Sequence, residues 1–167
     1  MKSRRRDRGE KLLAVYRALW TEVQAHKVTV RCTTALHPGE AGRFHPDMNG
    51  CGPVIEIYNP NYGATNLQAS ELGDVPMLER LIVLAHEYGH CLSWRAGHRT
   101  AEYEAAAVRF GEQALLDRWE RRLIRAEEAR AWRRGRRVLR RLGFRKWKAF
   151  SLHCTSSRRI YERKLGS

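Results

Sequence analysis

The chain is expected to fold as an α+β domain, with short strands and one helix buried at its centre, followed by a basic helical C-terminal extension. Three observations lead there. Two short runs rich in β-branched residues, 27–36 and 54–60, lie among turn-forming stretches. A long run from Asp74 to about Arg95 has apolar residues nearly all round, the pattern of a helix buried in a domain centre. The charge also shifts near residue 117: residues 12–117 carry a net charge of −4 and residues 118–167 a net of +14. The expected division is therefore a body at 1–117 and an extension at 118–167, a reasonable size for one domain and an appendage in 167 residues.

Taken in order, Leu12, Leu13, Tyr16, Leu19, Trp20 and Val23 fall at helical spacing and predict a first amphipathic helix. The segment "MKSRRRDRGEKLLAVYRALW" begins like a secretion signal, but Arg17 breaks its apolar part and no small-residue cleavage site follows. Asp7 stands where a twin-arginine signal would turn apolar. No apolar run reaches the ~18 residues needed to span a bilayer, so no membrane partner is expected. Cys32, Cys51, Cys91 and Cys154 form no C-x-x-C pair, and reduced thiols in the cytoplasm are the expectation.

"KVTVRCTTAL" (27–36) alternates as a strand does, and "VIEIYNP" (54–60) reads as a second strand closed by Pro60. Between them, 37–53 is dense in Gly, Pro, Asn and Asp and predicts turns or an exposed loop. Asp74 as N-cap, Pro76 in the first turn and Glu79 mark a helix start, and Gly97 marks its end. Thr100 is placed to cap a further helix through "AEYEAAAVRFGEQALLDRW", and "ERRLIRAEEARAWRRGRRVLRRLG" continues helical, with a break expected at Gly135 and a stop at Gly143.

The chemistry lies in "LAHEYGHCLSW", residues 84–94. Positions i and i+4 of a helix face the same way, so His86 and His90 can offer two imidazole nitrogens to one ion. Glu87 projects about a third of a turn away, close enough to serve a water beside the ion without being a ligand. This is the H-E-x-x-H logic of zinc hydrolases. His and Glu in a buried helix are costly unless paired or metal-bound, which favours a Zn2+ site over two satisfied core histidines.

A catalytic zinc needs a third protein ligand. His98 lies eight residues after His90, whereas the metzincin spacing puts its third His six residues on, with Gly at the position of Ser93. Downstream, Glu104 shares a helical face with Val108 and Leu115 and so should point inward; Glu102 shares one with Arg109 and Gln113 and should face solvent. Glu104 is the expected third ligand, with Glu102 and His98 as alternatives. For the oxyanion, Tyr88, Tyr103 and His98 are the candidates.

The succession "VIEIYNP", "LERLIVLAHEYGHCL" and "EYEAAAVRFGEQALL" resembles the ImmA/IrrE-type metallopeptidases over roughly residues 10–117. The resemblance implies a gluzincin-like, zincin-like fold, with a small twisted sheet on the H-E-x-x-H helix. It also implies a cytoplasmic zinc endopeptidase with Glu87 as general base. Some members cleave repressors of mobile elements or stress regulons, so a DNA-bound regulator is the implied substrate. The chain departs from the family pattern where Ala106 and Ala107 stand in place of the Asn or Asp that commonly follows E-A. SprT/Spartan-like proteases also combine H-E-x-x-H with DNA binding, but use a third His, for which only His98 is available.

In residues 118–148 arginines interleave with Trp119, Leu123, Ile124, Trp132, Val138, Leu139, Leu142, Phe144 and Trp147. The apolar set recurs at three and four, so packed amphipathic helices with outward arginines are expected. Such a face suits nucleic acid through phosphate neutralisation, an acidic protein partner, or solubility alone. A nucleic-acid-binding protein with a structural or inactive body is the rival function. An intact Glu87 speaks against it, because a structural zinc has no use for a base. Nothing in the chain sets an oligomeric state.

Overall fold

The computed structural model describes residues 2–33, 41–47, 50–58 and 74–166. Its elements are α1 (Lys2–Ala25), β1 (Thr29–Thr33), β2 (Gly42–His45), β3 (Val54–Tyr58), α2 (Asp74–Arg95), α3 (Ala101–Gly111), α4 (Arg118–Arg141) and α5 (Trp147–Lys164). The architecture is mixed α+β and mostly helical. No helix among the described residues is long and apolar enough to cross a membrane.

In α1 the stripe read from the sequence is the packed one: Leu12, Leu19 and Val23 are buried in the main core. The sheet has the order β1-β3-β2. β1 runs parallel to β3, with Thr29 opposite Val54, and β2 runs antiparallel to it, with Phe44 opposite Ile55. β3 is the central strand, and Val54, Ile55 and Ile57 are buried on both its faces.

β2 corrects the expectation of turns or loop throughout 37–53. Its four residues, Gly-Arg-Phe-His, have one apolar side chain, and periodicity does not reveal so short a strand. Pairing to β3 and burial of Phe44 make it a strand. Turn chemistry holds after it: Gly50 and Gly52 have φ of 75° and 78°, and the Gly52 amide donates to Asp47 Oδ1. The loop 59–73 and the capping side chain of Asp74 lie outside the described residues.

α2 is the axis of the fold. Residues 81–91 are all buried, as its all-round apolarity requires. It ends where expected, with Gly97 at φ 71° and the His98 amide donating to Ser93 O. The hydroxyl of Thr100 caps α3 by accepting from the Tyr103 amide. α3 then stops at Gly111 rather than continuing toward residue 118. Asp117 begins α4 with a capping box, exchanging side-chain to backbone hydrogen bonds with Glu120 at 2.8 Å each.

Gly135 does not break α4. It sits where α4 crosses α2, and a Cβ there would lie 2.4 Å from the carbonyl oxygen of Ala85. Gly89 plays the same part from the other side, where a Cβ would lie 2.1 Å from the carbonyl oxygen of Ala131. The two helices therefore touch backbone to backbone, which only glycine permits. The compositional division at residue 117 falls in the α3–α4 turn, yet it does not divide the core. Trp132, Val138 and Leu139 of α4, with Phe144 and Phe150 beyond it, belong to the same cluster as Leu81, Leu84 and Tyr88 of α2. Most arginines of α4 are exposed, while Arg121, Arg130 and Arg134 are half-buried, and the helix is part of the body.

Candidate metal centre

α2 brings His86 and His90 together, their ring centroids 4.7 Å apart at 72°. The third group comes from α4. His86 Nε2 lies 3.3 Å from Glu128 Oε2 and His90 Nε2 lies 3.1 Å from Glu128 Oε1. One ligand atom from each of His86, His90 and Glu128 falls within 4.8 Å of the others, and all three residues are buried. This group could hold a metal ion.

The surroundings fit a cation. His90 Nδ1 donates to Glu127 Oε1 at 3.1 Å, so its Nε2 turns a lone pair toward Glu128. Glu127 is fully buried, and its other oxygen accepts from Ser93 Oγ at 2.7 Å and Arg130 Nε at 3.0 Å. Glu128 Oε2, despite its closeness to His86, makes no aligned hydrogen bond, and neither does His86 Nδ1. The His86 ring is fixed instead by stacking on Trp132, with centroids 4.0 Å apart and an interplanar angle of 20°. A lone pair facing a carboxylate is repulsive unless a positive charge lies between them.

The electrostatics of the cluster point the same way. Burial lowers the basicity of His90, but the Glu128 carboxylate and hydrogen bonds to Glu127 and Glu128 outweigh it and raise its pKa to about 10. Burial would raise the pKa of Glu128, yet His90 and His86 hold it well below the usual carboxylate range. A proton shared in this cluster does what an ion would do.

Glu87 is buried beside the cluster and lines a cleft of about 600 Å3 that His90 and Glu128 also line. β2 forms one wall of the cleft, while Arg99, Tyr103 and Glu104 line another part. Gly42 lets β2 come this close, since a Cβ there would meet Val83 Cγ1 at 2.5 Å and Glu87 Cγ at 3.0 Å.

The expectation for the third ligand is corrected here. Glu104 is outside the cluster, its carboxylate bound to Arg99 Nε at 2.8 Å and a terminal guanidinium nitrogen at 2.9 Å. The guanidinium lies over the Phe44 ring at 5.2 Å and the Tyr103 ring at 4.9 Å, so Glu104 fastens the cleft wall. The face shared by Glu104, Val108 and Leu115 requires α3 to continue, but α3 ends at Gly111, and Leu115 is 92% exposed. Glu102 and His98 are exposed and take no part.

Of the oxyanion candidates, Tyr88 is fully buried and its hydroxyl pairs with His26 Nδ1, away from the cleft. Tyr103 lines the cleft. Tyr161 of α5, absent from the sequence expectations, lines it too; the Glu128 charge, then burial, hold its phenol protonated well above the ordinary range. Compared with protein-family models, curated proteins and solved structures, the chain matches none.

Proposed function

We propose that the protein is a zinc-dependent endopeptidase. The observation that carries this reading is Glu87, buried at a cleft beside a His86–His90–Glu128 cluster. Two imidazoles and one carboxylate suit zinc, and three protein ligands are the complement of a catalytic rather than a structural site. When bound, the ion supplies Lewis acidity to a water and to the scissile carbonyl.

Glu87 then takes the proton of the attacking water and passes it to the leaving amine. Glu127 holds His90 in the tautomer that ligates. β2 is an edge strand of the sheet among the described residues, and an extended peptide could be held along it by strand addition. The resemblance to ImmA/IrrE-type enzymes adds a substrate class, a cytosolic protein such as a DNA-bound repressor or other regulator.

Glu87→Gln is the test. The amide keeps the shape of the side chain but cannot accept the proton, so zinc content and thermal unfolding should match wild type. Cleavage of proteins in a lysate should fall about 10²–10⁴-fold, the range of a lost general base. Equal cleavage by both proteins would remove the peptidase mechanism.

A second reading concerns the back of α4. Arg133, Arg137 and Arg140 are exposed and recur at helical spacing, with no carboxylate partner among the described residues. Such a row favours binding of duplex nucleic acid, consistent with a DNA-bound substrate. Deleting 118–167 cannot test this, because it removes Glu128 and a core helix. Converting the three arginines to alanine should keep the fold and flatten the slope of log K against log salt by about 0.9 per lost phosphate contact. Full-length protein that ignores duplex DNA at about 50 mM salt would refute the nucleic-acid reading.

A further inference from the structure

The cleft does not end at Glu87. A second cavity of about 90 Å3 adjoins it, and Gly42, Glu87, Phe110 and Tyr161 line both. Val83, Phe110, Trp132 and Ile160, with Ala41, form the apolar part of its wall, and polar groups that include His86 and Glu87 form the rest. One stripe of α5 closes it: His153, Ser157, Ile160, Tyr161 and Lys164 recur at three and four and so share a helical face. Lys164 is exposed, so it can contribute its stem while its ammonium reaches water.

The wall is anchored at both ends. Phe150 is buried in the main core and Leu165 in a smaller cluster with Tyr103, Ala106 and Ile124. Between them the Tyr161 ring stacks on Phe110 at 5.5 Å and 17°.

We propose that this side pocket, shaped by α5, receives an aliphatic substrate side chain of three or four carbons next to the scissile bond. The proposal rests on the peptidase reading and names the specificity of the same site. Size decides the class of side chain. An apolar cavity that holds benzene measures about 150 Å3, and at about 90 Å3 this one is the smaller, which favours a short aliphatic side chain over a phenylalanine ring. Valine, leucine and isoleucine fit the volume and the walls. Position decides the role, because a peptide in the cleft passes the threshold formed by Gly42 and Glu87.

The test uses the full chain loaded with zinc and a mixture of peptides whose products are read by mass spectrometry. Wild type should favour Val, Leu or Ile at one fixed position beside the cut by about tenfold or more over Gly and Phe, the discrimination expected when a side chain fills a pocket of its own size. Ile160→Trp, checked for unchanged thermal unfolding, should fill the pocket and shift the preference to Gly and Ala. Cleavage with no preference there, or with an aromatic preference, overturns the pocket and leaves the peptidase reading standing.

A second readout needs no turnover. The indole N–H signal of Trp132 should shift saturably with acetyl-leucinamide, much less with acetyl-glycinamide or acetyl-phenylalaninamide, and not at all in Ile160→Trp. If no peptide is cut, the peptidase reading falls and this titration alone decides the pocket. Equal responses to the three amides would overturn it.

Discussion

Glu128→Ala should strip the protein of zinc, while Glu104→Ala should leave its zinc content unchanged. In the first variant two imidazoles remain without the carboxylate that faces both. In the second the loss is an ion pair at the cleft wall, and partly exposed pairs contribute about 0–1 kcal/mol. Losing an outer-shell partner of a metal ligand costs about 10–100-fold in affinity. Losing the ligand itself should therefore cost at least about a hundredfold. Metal analysis after dialysis against a weak chelator reads both variants. Full zinc in Glu128→Ala with loss in Glu104→Ala would return the third position to α3. Zinc and a proton compete for the His90 nitrogen, whose proton is held up to a pKa of about 10. Retention should accordingly decline as pH falls.

Gly89→Ala is expected to destabilise the protein by about 3 kcal/mol or more, the upper end of overpacking. Helix propensity argues for the opposite sign, since alanine is better than glycine in a helix interior by roughly 1 kcal/mol. Packing wins because the added methyl would sit 2.1 Å from a backbone oxygen of α4. A side chain could swing aside, whereas the carbonyl of Ala131 moves only with its helix. Gly135→Ala should behave alike, and both should weaken metal retention by shifting Glu128 away from the histidines. Gly111→Ala is the control: a Cβ there meets nothing within 4 Å, and no loss is expected. Urea unfolding of the three variants measures the contrast, and a Gly89→Ala protein as stable as wild type would contradict the close crossing.

The histidines were legible because their relation is local. His86, Glu87 and His90 lie within two turns of one helix, and 3.6-residue periodicity places them without reference to anything else. Start and stop signals at Thr100, Gly97 and Gly143 were legible for the same reason. Glu128 was not, because it meets the histidines only through the crossing of α2 and α4, and no spacing within one segment encodes a crossing. A weaker signal was present. Ile124, Glu127, Glu128, Ala131, Gly135 and Val138 form the buried stripe of an otherwise arginine-rich helix, and two acids on that stripe need partners. β2 was hidden likewise, since its identity as a strand lies in its pairing to β3.

An ion shared between α2 and α4 would be more than a reagent. His90 and Glu128 are far apart along the chain, and all of α3 lies between them. Coordination would tie that segment into a ring, as a disulfide does. For a ring of such length the loop-entropy relation assigns on the order of 4 kcal/mol of relative stabilisation against the open unfolded chain. Loss of the ion would then loosen the junction of the two helices as well as disarm the site, and the wall built by Arg99 and Glu104 rides on the tied segment.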